Sequence, residues 1–566
     1  MGFLAPALPA FDLAAWRAGS HHDRIKPLAQ DWALNGFGTP YAVYLLYLVK
    51  VVLYALGALV VISATPGAGP LGDVAQWWFR PVVYEKVVVW TLLYEILGLG
   101  CGSMPLTLRF LPPVGGFLYW LRPGTMRLAP WPGRVPLTGG TRRALADVVL
   151  YLGVLVSGVA LLAGRPGPRG VGVLLAFLVV LGFRDKAAFL ASRPEQYATV
   201  LVVFLFPPAG TVFALKLVML AVWWGAATSK LNRHFPFVVS VMISNSPLQR
   251  SRALKRRLWR RYPEDLRPGW PSALAAHSGT VVEFLVPLVL LLSRGGAVTV
   301  AAVAVMVLFH LHITSTFPLG VPLDWNVFVI YSLLALFGHD AAVGPGTFGP
   351  PLLGVLLVVL LVGLPVLGNL RPDLVSFLPA MRYYAGNWAT SVWLFDRSSG
   401  AEETFDASLV GPAHVAVKQL TRIYGAETAE LLLYKGLAFR AMHSHGRALA
   451  GLLGRAVDDL SAYDVREGEV VAGVTLGWNF GDGHLHGAQL LAAVQERCGF
   501  AAGQLRVVTL ESQPFLDPRQ RYRILDAADG LLEDGYVKVS DMVERQPWLD
   551  GSGTIPVEVL SAPGRP

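Results

Sequence analysis

Blocks of about 17 to 24 nearly uninterrupted apolar residues recur along the first 370 positions of this 566-residue chain, and that is the length a helix needs to cross a hydrocarbon layer about 30 Å thick. Inside such a layer every backbone N–H and C=O must be satisfied within the segment, so blocks rich in Leu, Val and Ala read as helices. Charged residues are 15% of the chain, where a soluble domain carries about 25%. The expected fold is an all-α polytopic membrane domain of about ten spans, followed by a small soluble C-terminal domain of α/β or α+β type.

The spans read as Tyr41 to Ala64, Val82 to Gly100, Leu145 to Ala163, Val171 to Phe183, Tyr197 to Phe206, Val212 to Thr228, Ala273 to Leu292, Ala297 to Phe317, Leu323 to Phe337 and Leu352 to Leu370. The fourth, fifth and ninth are short. Residues 1–40 then form a cytoplasmic N-terminal segment, 41–370 the helical membrane domain and 371–566 a cytoplasmic C-terminal domain. The first block is full length and no basic leader precedes it, so it reads as a span and not as a cleaved signal peptide. Orientation follows from the loops: 1–40, 101–144, 184–196 and 229–270 together carry 22 Lys and Arg, and the intervening loops carry 4. That asymmetry places both termini inside, in the cell membrane. The net charge of +9 is split between 29 basic and 14 acidic residues up to position 370 and 18 against 24 beyond it, so the high pI reflects loops beside membrane helices and needs no nucleic-acid partner. Cys101 and Cys498 both fall on the reducing side, which argues against a disulfide.

Segment 101–144 alternates apolar stretches, Leu106 to Leu111 and Phe117 to Leu121, with Pro, Gly, Trp and Arg, and is expected in the headgroup layer. Arg250 to Arg261 (RSRALKRRLWRR) is the densest basic run and is expected to meet anionic lipid headgroups. In the tail, Ala413 to Leu433 and Leu437 to Leu460 have helical spacing, Val470 to Leu476 and Leu505 to Leu510 look like strands, and Gly487 to Cys498 like a helix.

Ionisable residues within apolar blocks are expensive and mark candidate sites. They are Lys50, Glu85, Lys86, Glu95, Lys216, Lys230, His277, Glu283, His310, His312 and Asp324. Glu85, Lys86 and Lys216 lie where long side chains reach the interface. Lys230 closes a hydrophobic block and is followed within five positions by Asn232, Arg233 and His234; a lysine in a partly apolar site is a candidate base. His310 and His312 precede a Pro-rich break, with Asp324, Trp325 and Asn326 beyond it, and such breaks are where membrane cavities form. Two residues apart on a helix, the histidines do not share a face, which disfavours a metal. In the tail, His443 and His445 fall on a helix, while Asp482, His484 and His486 occupy a glycine-rich turn where an extended backbone would align the two histidines; a plain polar turn is the alternative.

Over nearly its whole length, and most clearly in FGTPYAVYLLYLVK, GLGCGSMPLTLRFLPPVGGFLYWLRPGTMRL and KLNRHFPFVVSVMISNSP, the chain resembles a family of bacterial multi-pass membrane proteins known only as a domain of unknown function. From 184 to 338, the pattern Lys230-Leu231-Asn232, His310-Leu311, Phe317 and Leu319-Gly320 with Pro322 is similar to the transmembrane region of vitamin K-dependent gamma-carboxylase and its horizontally transferred transmembrane relatives. That resemblance implies Lys230 as a base and His310 as a pocket residue. The basic loop after Lys230 predicts a cytoplasmic site, opposite to the carboxylase, and vitamin K chemistry is not implied.

Three readings stand side by side. In the first, a membrane-embedded enzyme acts on a lipid or quinone-like molecule, with Lys230 and His310 catalytic and Asn232, Glu283, His312 and Asp324 binding substrate. The second is a lipid or small-molecule transporter. The third is a membrane scaffold whose tail recruits a protein partner. No cofactor or metal is specified by the sequence.

Overall fold

The computed structural model describes residues 2–100, 117–208, 210–316, 323–383, 385–410, 416–549 and 553–563. Six helices in it are long and apolar enough to cross a membrane: α1 (Tyr41–Ser63), α2 (Leu145–Ala163), α3 (Thr211–Ser229), α4 (Trp270–Leu292), α5 (Gly296–Thr316) and α6 (Pro351–Leu370). The other four expected spans are shorter: Pro81–Ile96, Pro168–Arg184, Tyr197–Val203 and Leu323–Ser332, the last continuing as a π-helical stretch to His339. Six of the ten expected crossings thus meet the length and composition needed. Tyr197–Val203 has seven residues, about 10 Å at 1.5 Å per residue, and cannot cross alone. Pro81–Ile96 is buried along most of its length, wrapped by its neighbours instead of facing lipid.

Within α6 the helix widens to a π-turn at Val359–Gly363, immediately before Pro365. Proline has no N–H to donate back to the preceding turn, and the local ladder shifts register around it. The lysines of the helical part find backbone oxygens. Lys86 Nζ donates to the Leu162 carbonyl at 2.8 Å, and Lys216 Nζ to those of Asp340, Ala341 and Val343 at 2.8, 3.2 and 2.8 Å. These two side chains end on carbonyls at the end of one helix and in the turn after another.

The N-terminal segment forms an amphipathic helix, His21–Asn35, whose Ser20 cap accepts from the Asp23 N–H and whose buried face is Ile25, Leu28, Ala29, Trp32 and Ala33. That face packs on the tail: Trp32 meets Phe439 at 5.2 Å, Arg24 pairs with Glu430 at 2.7 Å, and Lys435 Nζ donates to the carbonyls of Ala7 and Phe37. The N-terminal segment and the tail therefore lie on the same side of the helical part.

Among the described residues there are eight strands. β1 (Trp259–Arg261) and β2 (Asp265–Pro268) form a hairpin inside the basic segment. β3 (Thr390–Asp396), β4 (Tyr463–Glu467), β5 (Leu505–Leu510), β6 (Arg519–Asp526), β7 (Gly530–Lys538) and β8 (Glu558–Ser561) make one antiparallel sheet in the order β4-β3-β5-β6-β7-β8. Val392, Leu394, Val508, Ile524 and Val537 face the helices Ala426–Met442 and Ser444–Ala456. The opposite face is apolar at Trp393, Val507 and Leu525 and turns polar at Thr509, Arg523, Arg521 and Tyr536.

Two tail expectations are corrected. Val470 to Leu476 is not a strand but the end of a helix, Gly468–Leu476: the Glu467 carboxylate caps its first N–H groups, and Gly477, at φ 83°, ends it in the left-handed conformation. Of the two long helices expected over 413–460, the structure makes three, Ala416–Tyr424, Ala426–Met442 and Ser444–Ala456, broken at Gly425 and His443; residues 413–415 lie outside the described ones. Leu505–Leu510 is β5, and the expected Gly487 to Cys498 helix is Ala488–Cys498.

Leu106 to Leu111 lies outside the described residues. Instead of lying among headgroups, Trp120 is fully buried and donates its indole N–H to the Leu476 carbonyl at 2.9 Å, tying this segment to the tail. The basic residues of 184–196 are likewise built in: Lys186 Nζ donates to the His484 carbonyl at 2.9 Å, and Arg193 pairs with Glu195 at 2.8 Å while lying 4.9 Å from the Trp325 ring. One hydrophobic cluster consequently runs from the membrane helices into the sheet.

Candidate functional site

Four helices bring the central candidates together. Lys230 is the C-cap of α3, Glu283 lies midway along α4, His310 is one turn from the end of the apolar part of α5, and Asn326 sits on Leu323–Ser332. The α3–α4 contact is fixed next to the site by Trp224, whose indole N–H donates to the Phe284 carbonyl at 3.0 Å. Lys230 Nζ lies 2.6 and 2.5 Å from the two Glu283 carboxylate oxygens, and both side chains are almost fully buried. A buried ion pair of this kind costs several kcal/mol of desolvation per charge, so its position is a feature of the site and not an inexpensive anchor.

His310 is held from both sides. The Trp223 indole N–H donates to Nε2 at 3.0 Å, and Nδ1 lies 2.7 Å from Asn326 Oδ1. Since Trp223 can only donate, Nε2 is the unprotonated nitrogen and Nδ1–H donates to Asn326; the ring is neutral and fixed in orientation.

Lys230, Glu283, His310 and His312 line one cavity of about 150 Å3. Most of its wall is apolar: Phe235, Val238 and Met242 of the helix Phe235–Asn245 close it at the end of α3, and Trp325 and Tyr383 close another side. His312 and Ala275 are exposed at its rim, between α4 and α5. A cavity with one charged, proton-bearing corner and an otherwise greasy wall suits a small ring or a short apolar group bearing a single oxygen function.

Two candidates lie elsewhere. Asn232 is committed to the backbone: its Oδ1 accepts from the N–H groups of His234 and Phe235 at 2.8 and 2.9 Å, opening the Phe235–Asn245 helix, and its Nδ2 donates to the Ser229 and Ala385 carbonyls. Asp324 is buried on the other side of its helix, next to Glu95, where both carboxylates approach Gly100. Among the described residues no group of three or more His, Cys, Asp or Glu side chains is arranged to hold a metal. His443 and His445 stack at 5.4 Å against Trp388; burial, reinforced by Arg440, holds His443 down to about 3. His484 and His486 do not share a face, because Gly483–Leu485 is a 3₁₀ turn that points residues two apart in different directions. His484 meets Glu511 at 3.0 Å, and His486 is buried against Ser391 at 2.7 Å.

Trp223, Tyr383 and the Arg193–Glu195 pair behind Trp325 complete the surroundings, with Tyr383 donating to Glu195 at 3.1 Å. Arg193, Glu195 and Tyr383 come from loops, where no periodicity marks a residue as facing a cavity.

A family model for a transmembrane protein of unknown function, DUF3556, matches residues 1–560. No curated protein and no solved structure matches the chain. None of these comparisons shows a likeness of residues 184 to 338 to the carboxylase superfamily.

Proposed function

We propose, starting from the chain's membership of the DUF3556 family of transmembrane proteins, that this is a membrane-embedded enzyme acting on a lipid or quinone-like molecule at the Lys230–Glu283 corner. The observation that carries the reading is the bidentate ion pair at the end of an apolar cavity whose rim lies between two membrane helices. A proton shared between an amine and a carboxylate in a water-poor site can be handed to a substrate oxygen or taken from its O–H, with the partner absorbing the change of charge. The fixed His310 ring supplies a neutral, oriented wall beside it.

The excess of Lys and Arg in the loops at this end of the helices supports a cytoplasmic reading for it and for both termini, with the protein in the cell membrane. The mostly exposed run from Arg250 to Arg261 would rest on anionic headgroups there.

The test is ligand retention. Purified protein is extracted and its co-purifying quinones and lipids are compared between wild type, Lys230→Met and Glu283→Gln. Loss of one molecular species in both variants, with the folded fraction preserved, supports the reading. An unchanged set in both variants overturns it.

A further inference from the structure

A second, larger site lies away from Lys230, where the sheet meets the end of α6. A cavity of about 720 Å3 separates the polar half of the sheet from the membrane helices. Its floor is Arg521 and Arg523, two residues apart on β6 and therefore on one face, flanked in register by Tyr536 and Thr509. Arg371, the first residue after α6, and Lys186 and His484 add further cations. Burial opposes a charge on His484, but Glu511 and Asp482 outweigh it and push the imidazole up to about 10, so it is a cation too.

Carboxylates are present but engaged. Arg371 holds Asp373 at 2.9 Å, His484 holds Glu511, and Asp517 holds Arg519 at 3.2 Å. Arg521 and Arg523 share one nearly buried carboxylate, Asp534, at 2.5 and 3.9 Å. The two arginine side chains are each about 42% exposed while that of Asp534 is about 7% exposed, so this group of three offers the cavity mainly its cations.

This cavity adjoins a second one at Leu370. An apolar groove of about 730 Å3 runs between α3 and α6, from Leu217 and Phe348 to Leu370 and Phe515, along the π-turn of α6. Leu370 lines both the groove and the cavity, and the loop after β5 passes between them, Pro514 on the cavity and Phe515 on the groove. That loop is pinned to the helix end by the Phe515 N–H, which donates to the Asn369 carbonyl at 2.8 Å, and it presents Leu516, 81% exposed, beside it. Leu217 to Thr228 spans about 16 Å along α3 at 1.5 Å per residue, close to one leaflet of a hydrocarbon core about 30 Å thick.

A greasy groove of one-leaflet depth that adjoins a polar, arginine-floored cavity at Leu370 has the shape and polarity of one class of molecule. We infer that it is a phospholipid site, with the headgroup phosphate on Arg371, Arg521 and Arg523 and one acyl chain between α3 and α6. Guanidiniums bind phosphate oxygens through paired, charge-assisted hydrogen bonds, which Arg521 and Arg523 have donors left to make.

The experiment is native mass spectrometry of the delipidated full chain, titrated with phosphatidylglycerol, phosphatidylethanolamine or inorganic phosphate. Arg523→Gln removes a half-exposed cation at little structural cost, Arg521→Glu with Arg523→Glu reverses the floor, and Leu361→Trp fills the groove. The arginine variants are each expected to weaken one stoichiometric phospholipid by about tenfold or more through lost charge-assisted hydrogen bonds, and Leu361→Trp to weaken it comparably by filling the space of the acyl chain, while Lys230→Met leaves it unchanged. Millimolar inorganic phosphate is expected not to displace that lipid. Three outcomes overturn the inference: lipid affinity equal to wild type in Arg523→Gln and Leu361→Trp, displacement of the lipid by inorganic phosphate alone, or a groove substitution that alters only the number of copies in the assembly.

Discussion

Lys230 and Glu283, 53 positions apart in the chain, meet through both carboxylate oxygens at 2.6 and 2.5 Å in a site almost closed to solvent. The value of such a pair lies in its completeness. Removing one partner strands a buried charge and costs about 3–5 kcal/mol, whereas replacing both with apolar groups of similar size is close to neutral. Glu283→Gln and Lys230→Met are each expected to lower the thermal midpoint in detergent by several degrees, and the double variant Lys230→Met, Glu283→Leu to recover most of that loss. A double variant at least as unstable as the sum of the singles would show that the two groups act independently.

Trp223 fixes the protonation of His310 by donating to Nε2. Trp223→Phe keeps the ring and deletes the donor, leaving a buried lone pair without its partner at a cost of about 1–3 kcal/mol. The imidazole nitrogen shifts in 15N-histidine spectra are expected to change along with stability. Spectra identical to wild type would mean that Asn326, at 2.7 Å from Nδ1, holds the tautomer unaided.

Lys230, Glu283 and His310 were legible because an ionisable group in an apolar block stands out wherever the helix is placed, and three of them in separate blocks are then drawn to one another. Asp324 stood out by the same criterion and Asn232 by its place beside Lys230, but they turned to Glu95 and to a helix start, choices made by local geometry that composition does not contain. Six of the ten expected spans meet the length and composition a crossing needs, and apolar length alone does not separate a lipid-facing helix from one enclosed by protein, as Pro81–Ile96 is. Val470 to Leu476 looks equally apolar as strand or helix end, and Glu467 and Gly477 decide it. The cationic strand β6 was in the letters all along: in RQRYRILD, Arg519, Arg521 and Arg523 alternate with period two, but the pattern is polar and escapes a search for apolar alternation.

The contact between the N-terminal helix and the tail separates packing from surface charge. Trp32 is 1% exposed and stacks near Phe439, whereas the Arg17–Glu427 pair is largely in water. Trp32→Ala is expected to cost about 3–5 kcal/mol and to open the segment 1–40 to limited proteolysis. Arg17→Ala should cost under about 1 kcal/mol and leave the digestion pattern as it is. Equal sensitivity of the two variants would mean that charge, not the buried tryptophan, docks the segment.

The polar floor of the tail should respond to alkali through His484. Despite its burial, Glu511 and Asp482 raise its pKa from 6.5 to about 10. A cation held more tightly in the folded state contributes stability that is fully present below its unfolded pKa and disappears as pH rises through the folded one. That contribution is therefore complete below about pH 6.5 and lost by about pH 10. Asp482 has the opposite sign: burial opposes its charge, but His484 and Lys186 lower it to about 2, so its contribution persists through mild acid and fails only as pH falls towards that value. Amide hydrogen exchange in the 482–487 turn and the 511–518 loop, followed from pH 6 to 10 after correction for the intrinsic rate, should show protection falling over that range. His484→Gln should abolish the pH dependence and lower protection at pH 6. Protection independent of pH in the wild type would place a neutral imidazole between the two carboxylates.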